Sequence, residues 1–288
     1  MKEILKESIK YLRRNKAAIV GLVIIVILIL VALFAPVISP YDPIAQNLKK
    51  NLTAGIWAGN SDNILGTDEF GRDLLSRIIY GARISLSVGL IAVVIGLSIG
   101  ATLGIVAGFF GGRMDNVLMR LVDIMFSLPS ILLAIVIVAI LGRGLGKAMI
   151  AIGITYSPQI ARIIRSGVLI IRNSEYIEAA KALGNSSPRI MLVHVLPNVA
   201  SSIIVYGTLS IGSAILDAAA LGFLGLGAQP PLAEWGAMLS GSIHSITGGY
   251  WWVVTFPGIA ILLSVLGFNL FGDGLRDALD PRLRNRGM

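Results

Sequence analysis

Residues Ala17–Ile38 read AAIVGLVIIVILILVALFAPVI, 22 consecutive positions without a charged side chain. At 1.5 Å per residue such a helix rises about 33 Å, enough to cross the roughly 30 Å hydrocarbon core of a bilayer. A helix apolar on every side has no polar face to turn to water, so this one takes lipid as its solvent. Lys2, Lys6, Lys10, Arg13, Arg14 and Lys16 precede it. Basic residues are retained on the cytoplasmic side during insertion, which places the amino terminus inside. A cleaved signal peptide is the rival reading. The apolar run is longer than the 7–15 residues usual for such a leader, and no clear cleavage site follows it.

The rest of the chain agrees with that reading. Of its 288 residues 55% are hydrophobic and only 14% charged, and the mean hydropathy of +0.82 lies outside the soluble range. Five more apolar runs follow, at about Ile84–Phe110, Val117–Leu141, Ala148–Ile164, Val199–Ala220 and Trp252–Phe271. The third carries Arg120 and Asp123 in its first turns, so its buried part starts near Ile124. The fourth is marginal, because Pro158, Gln159 and Arg162 make it short, kinked and less hydrophobic. Six crossings return the carboxyl terminus inside, where Arg276, Arg282, Arg284 and Arg286 agree with the rule for basic residues. Only seven of the 24 basic residues then fall outside. The net charge of +8 is explained by this asymmetry; without an aromatic platform it makes no nucleic-acid surface.

The loops are unequal. An outer segment of about 45 residues, Ser39–Arg83, opens on the turn-forming Pro40-Tyr41-Asp42-Pro43. It closes on a stretch from Asp73 in which Leu74, Ile78 and Ala82 share one face, the pattern of an interfacial helix leading into the second span. The largest inner loop, about Arg165–Asn198, is amphipathic. Ser174 is a candidate N-cap, and Glu175–Leu183 are strong helix formers that Gly184 terminates. A second short helix is predicted after Pro188, stopping at Leu196-Pro197. The outer stretch Gly222–Tyr250, with Glu234 and no Lys or Arg, is a candidate docking surface for a partner protein.

Gly96, Gly100, Gly104 and Gly108 recur every four residues in the second span and form a smooth stripe for close helix packing, inside this subunit or against a partner. Asp217 is the acidic residue nearest a span core. Counted from Val199 it lies about 27 Å along its helix, near the outer interface. It is either an interfacial carboxylate or part of an outer gate or solute path.

Catalytic constellations fail by elimination. Cysteine is absent, which removes thiolate and iron–sulfur chemistry. His194 and His244, the only histidines, fall on opposite faces, so no metal cluster can use both. One intramembrane carboxylate makes no protease dyad. Gly142–Ala148 misses the phosphate-loop spacing and carries alanine in place of the metal-binding hydroxyl, so it reads as a tight turn.

A resemblance now adds to this reading. Glu178-Ala179-Ala180, Gly184, and Leu196-Pro197 twelve residues beyond it resemble the EAA loop of ABC-importer permeases, with His194 where many members carry isoleucine. Gly66-Thr67-Asp68, Gly71-Arg72-Asp73 and Ser76-Arg77 resemble the dipeptide, oligopeptide and nickel branch. So do Leu221–Gly227 with Pro230-Pro231 and Trp235-Gly236, and Asn269–Pro281. The chain is thereby similar to binding-protein-dependent transport inner-membrane components of the second permease subunit type.

That resemblance implies an all-α integral membrane protein with six transmembrane helices, a type I ABC-importer (MetI-like) permease fold, and both termini cytoplasmic. Residues 1–83 would form the first helix with its outer loop, and residues 84–288 a five-helix core containing the coupling loop 165–198. It implies a permease for di- or oligopeptides in a prokaryotic cell membrane, with no cofactor of its own. ATP and magnesium would be bound by two separate ATP-binding subunits. A second permease subunit and an extracytoplasmic solute-binding protein would complete the assembly. Glu178, Ala179, Ala180, Gly184, Leu196 and Pro197 would couple the chain to the ATP-binding subunit. The same architecture importing nickel or another small solute stays open, although nickel favours histidine or carboxylate ligands that this chain has in short supply. A stand-alone channel or secondary transporter is the distant alternative, for which neither internal repeats nor several intramembrane charges are visible.

Overall fold

Lys16–Ile38 form α1, a 23-residue helix whose first turn is capped by the Asn15 side chain accepting from the Ala18 N–H. The computed structural model describes Leu12, residues 15–242, Ser245 and residues 247–279. The basic residues before Asn15, His244 and the arginines beyond Leu279 lie outside them. After α1, an outer segment with two short 3-10 turns, Leu48–Lys50 and Ile56–Ala58, leads to α2, Leu74–Phe110. Then follow α3 (Gly112–Phe126), α4 (Ser130–Leu141), α5 (Leu145–Ile171), α6 (Glu175–Ala182) and α7 (Ser187–Ile190). A π turn, Met191–Val195, joins α7 to α8, Leu196–Phe223; α9 (Trp235–Gly241) and α10 (Trp252–Leu279) complete the described chain.

Among the described residues, four helical stretches are long and apolar enough to cross a membrane: α1, α2, the run Ser187–Phe223, and α10. A fifth is reached if α3 and α4, bent by 94° at their junction, count as one broken span. The apolar runs predict six, and the difference lies in two places. The expected third span is not continuous, because Leu128-Pro129 interrupts it and Pro129 becomes the residue from which α4 starts afresh. With 12 residues, α4 spans only about 18 Å by itself. The expected fourth span is α5, a helix of ample length at 27 residues whose Gln159, Arg162 and Arg165 hold its hydropathy down.

Two local expectations also change. The interfacial helix and the second span are one 37-residue helix, α2, whose start is fixed by the Asp73 carboxylate accepting from the Ser76 N–H at 2.8 Å. The second cytoplasmic helix does not stop at Leu196-Pro197. Its path runs on through the π turn, where the Leu196 N–H donates to the Met191 carbonyl. Proline is tolerated at Pro197 because it sits in the first turn of α8, where its missing N–H costs little, and the π turn widens the path.

What holds the bundle together is backbone proximity. A Cβ added at Gly96 would lie 2.9 Å from the Gly153 carbonyl, at Gly100 2.6 Å from the Ser157 carbonyl, and at Gly104 2.5 Å from the Ala161 carbonyl. At Gly108 it would meet Val168 at 2.8 Å. All four glycines of this stripe therefore face α5 of the same chain. Pro158 sits inside α5 without breaking it. The carbonyl it orphans, that of Ile154, accepts instead from the Ser157 hydroxyl at 2.8 Å. α1 meets α10 by the same device, with Gly21 against the Phe271 N and the Gly267 carbonyl. Side chains fill what remains: Val88, Ala92, Val93, Ala151, Ile152, Ala214 and Leu221 form one buried cluster. Ile160, Ile164, Val168, Ile177, Ile190 and Val195 form another nearer the α6 end.

Gly100→Ala is expected to cost about 1–3 kcal/mol by overpacking, read as a lowered thermal midpoint in detergent. Gly258→Ala, where an added Cβ meets nothing within 4 Å, leaves the midpoint unchanged.

Candidate coupling loop and solute path

α6 stands out from the body on a chain that turns sharply at both ends. Its carboxyl end is closed by Gly184 at φ +79°, whose N–H donates to the Lys181 carbonyl while the Asn185 N–H donates to that of Ala180. These two bonds are the glycine-terminated helix ending, and the Asn185 side-chain amide reinforces them on the Ala180 carbonyl at 3.0 Å. A Cβ at Gly184 would meet nothing within 4 Å. The need is therefore conformational: a left-handed residue, not a close approach.

Glu178 and Ala179 are exposed on α6, whereas Ala180 is 6% exposed and packs inward with Ile177. The two alanines thus face different ways, and Ala180 is small because it is buried against the rest of the chain. Leu196 is half-buried and Pro197 exposed at the base of α8, away from the tip. Two exposed apolar groups at α6, Leu183 at 82% and Tyr176 at 46%, are not among the site residues the sequence singles out. Helical periodicity counts Leu183 with the buried positions Ile177 and Ala180. The turn into Gly184 redirects it.

Behind the loop, α3 is tied to α5 by two ion pairs. Arg165 grips Asp115 with two hydrogen bonds of 2.5 and 2.6 Å, and Arg162 reaches Asp123 at 2.6 Å while lying over the Phe126 ring. Asp217 lies on α8, half-buried, and its Oδ2 accepts from the Tyr156 hydroxyl of α5 at 2.9 Å. Tyr156 is not among the predicted site residues; nothing in sequence spacing links positions 61 residues apart.

These features can be set beside known proteins. Residues 100–285 match the family described as binding-protein-dependent transport system inner membrane component, and residues 4–54 match the N-terminal TM domain of oligopeptide transport permease C. The chain belongs to the binding-protein-dependent transport system inner membrane components. It is 52% identical over 283 residues to the di/tripeptide transport system permease protein DppC of Pseudomonas aeruginosa, covering 98% of this chain and 93% of the relative. It is 50% identical over 282 residues to the dipeptide transport system permease protein DppC of Escherichia coli K12, covering 97% and 94%. Among solved structures it resembles a chain of the inward-facing MetNI methionine ABC transporter, with a TM-score of 0.55 and 20% identity over 70% of this chain and 96% of that one. That likeness establishes the MetI-like fold. The chain is a multi-pass membrane permease, and the relatives are transport permeases, not enzymes.

The segment before α2 and the stretch around α9 are built on buried polar groups. Asp68 accepts from the Arg72 Nε at 2.6 Å and lies 3.4 Å from the Arg77 Nε; Arg77 also donates to the Pro43 carbonyl at 3.0 Å. The Gly66–Arg77 motifs are therefore an internal staple between the outer segment and the start of α2. Trp57, Trp251, Trp252 and Phe256 cluster beside it, with ring centroids 5.2–5.8 Å apart between Trp57 and its three neighbours. Glu234 is 2% exposed, so it offers nothing to a docking protein directly. It caps α9, accepting from the Gly236 and Ala237 N–H groups at 2.9 and 2.8 Å and from the Ser85 hydroxyl at 3.3 Å. Burial pushes its carboxyl above the ordinary glutamate range, and those donors pull the other way. Glu234→Ala would orphan these donors at a cost of about 1–3 kcal/mol, measured as a lower unfolding temperature and earlier proteolysis of the Gly222–Tyr250 segment.

Proposed function

We propose that this permease is one of two membrane subunits of an ATP-driven importer of small peptides in a prokaryotic inner membrane. The observation that carries the reading is the identity of about half of all positions, along nearly the entire chain, to permeases named for dipeptide transport. On this reading the chain crosses the membrane six times, with α5 and the broken α3–α4 pair completing the count, and both termini are cytoplasmic. Two separate subunits bind ATP and magnesium and carry out hydrolysis; this chain holds no cofactor. A second permease completes the path, and a solute-binding protein delivers the peptide to the outer side.

The mechanical part follows from how α6 is held. Its exposed face, Glu178, Ala179 and Leu183, seats in a groove of the ATP-binding subunit, with Glu178 as a charged anchor. Its inner face, Ile177 and Ala180, is packed in one cluster with Ile164 and Val168 of α5 and Val195 and Val199 at the base of α8. A displacement of α6 is thus delivered to α5 and α8 together. Those two helices carry Tyr156 and Asp217, which join them by a hydrogen bond within the bundle. The π turn at Met191–Val195 supplies a place where α8 can change angle.

The test is to copurify and reconstitute the complex, then measure ATP hydrolysis and uptake with binding proteins loaded with a dipeptide, an oligopeptide or Ni2+. Stimulation by peptide-loaded protein is expected. Stimulation by the nickel-loaded protein alone would transfer the assignment to metal import. In the same assay Glu178→Ala and Gly184→Val are expected to leave the complex in the membrane and to reduce uptake per ATP hydrolysed by about tenfold or more; normal coupling in both variants would overturn the docking role of α6.

A further inference from the structure

The outward faces of the helices are of two kinds. α1 and α10 present apolar groups, among them Val20, Ile27, Leu33 and Leu262 at 52, 53, 66 and 62% exposure, as helices against hydrocarbon do. α5 and α8 differ. On α8, Ser202, Tyr206, Ser213 and Asp217 follow one another at intervals of four, seven and four, which is one helical face. On α5, Thr155, Gln159, Arg162 and Ser166 do the same. Ser202, Ser213, Gln159, Arg162 and Ser166 are exposed.

The two polar faces adjoin. Tyr156 bridges to Asp217 at one end, with Ser213 beside the same hydroxyl. Toward the other end Ile163, Ser202, Tyr206 and Arg276 line a groove of about 350 Å³. A face carrying a carboxylate, an amide and several hydroxyls is costly to turn to lipid, so it looks onto water and the second permease.

Within it Asp217 is held in a particular way. Tyr156 fixes Oδ2, and no described residue donates to Oδ1, which is not fully buried, since no fully buried side-chain oxygen in the described residues is left unpaired. One oxygen is anchored and the other is presented. We propose that Asp217 is a recognition station in the solute path, where its free oxygen takes up the positively charged amino terminus of a passing peptide. The inference rests on the peptide reading above. An ammonium group meets the presented oxygen in a charge-assisted hydrogen bond. One carboxylate with a single open oxygen holds it weakly enough to release it, as a conducting path requires. Tyr156 is then a positioning residue.

The chain has no cysteine, so Asp217→Cys creates its only thiol. The full complex, reconstituted with its binding protein, is assayed for dipeptide uptake and stimulated ATP hydrolysis, with the wild-type complex treated identically. Asp217→Asn, isosteric and still able to accept from Tyr156, is expected to assemble, to lose about tenfold in uptake, and to keep its ATP hydrolysis within about twofold. Asp217→Cys is expected to react with methanethiosulfonates from the aqueous phase. Attaching a negatively charged sulfonatoethyl group restores uptake; attaching an aminoethyl group leaves it low. The proposal is overturned if Asp217→Asn transports normally or fails to assemble, if the thiol is unreactive, or if both reagents give the same uptake. Wild-type uptake is read first. Its absence removes the peptide reading and this proposal together, whereas normal wild-type uptake with no charge dependence in the labelled Asp217→Cys variant removes this proposal alone.

Discussion

The close approach of α2 and α5 is the constraint on which the rest depends. Three carbonyls of α5, those of Gly153, Ser157 and Ala161, face α2 at positions where any side chain larger than hydrogen would collide. In lipid there is no hydrophobic gain from joining two apolar helices, so contact must be won by fit, and small residues allow the fullest fit. α5 is the least hydrophobic of the long helices and includes a proline. It keeps its place because α2 provides a continuous surface for it and because the Ser157 hydroxyl satisfies the carbonyl that Pro158 orphans.

Around that contact the two ends of the permease are built differently. α1 is locked to α10 through Gly21, Gly267 and Gly274, and the outer segment is stapled to α2 by Asp68, Arg72 and Arg77. By contrast, α6 is joined to the body by two buried side chains, by Lys181 over the Phe109 ring and by two flanking turns, and α8 begins on a π turn. These contacts are few, and they reach α5, the base of α8 and Phe109 of α2. Tyr156 and Asp217, the hydrogen-bonded polar pair between helices of the bundle, lie on α5 and α8.

Much of this was legible in the residues. The span Ala17–Ile38, the glycine stripe, the helix beginning after Ser174 and its termination at Gly184 all rest on local rules: length of apolar run, four-residue spacing, caps, and a glycine where a left-handed turn is needed. The motifs Gly66–Arg77 and Glu178–Gly184 were recognisable by order and spacing. Other readings failed where neighbours decide. Hydropathy averaged over Val117–Leu141 hid the corner at Pro129, and the proline at 197 looked like a terminus although a π turn carries the helix past it.

By itself the sequence determined that the chain lives in lipid, that one span carries a glycine stripe for close packing, and which family of loops it carries, because those properties depend on composition and on residues within a turn or two. Only the tertiary structure decided that Ala179 is presented while Ala180 is buried, that Glu234 caps a helix instead of facing a partner, and that Tyr156 holds Asp217 from 61 residues away. Exposure and long-range hydrogen bonds are set by which helix packs beside which. That choice follows from the fit of whole surfaces, and no window of sequence contains both sides of the fit.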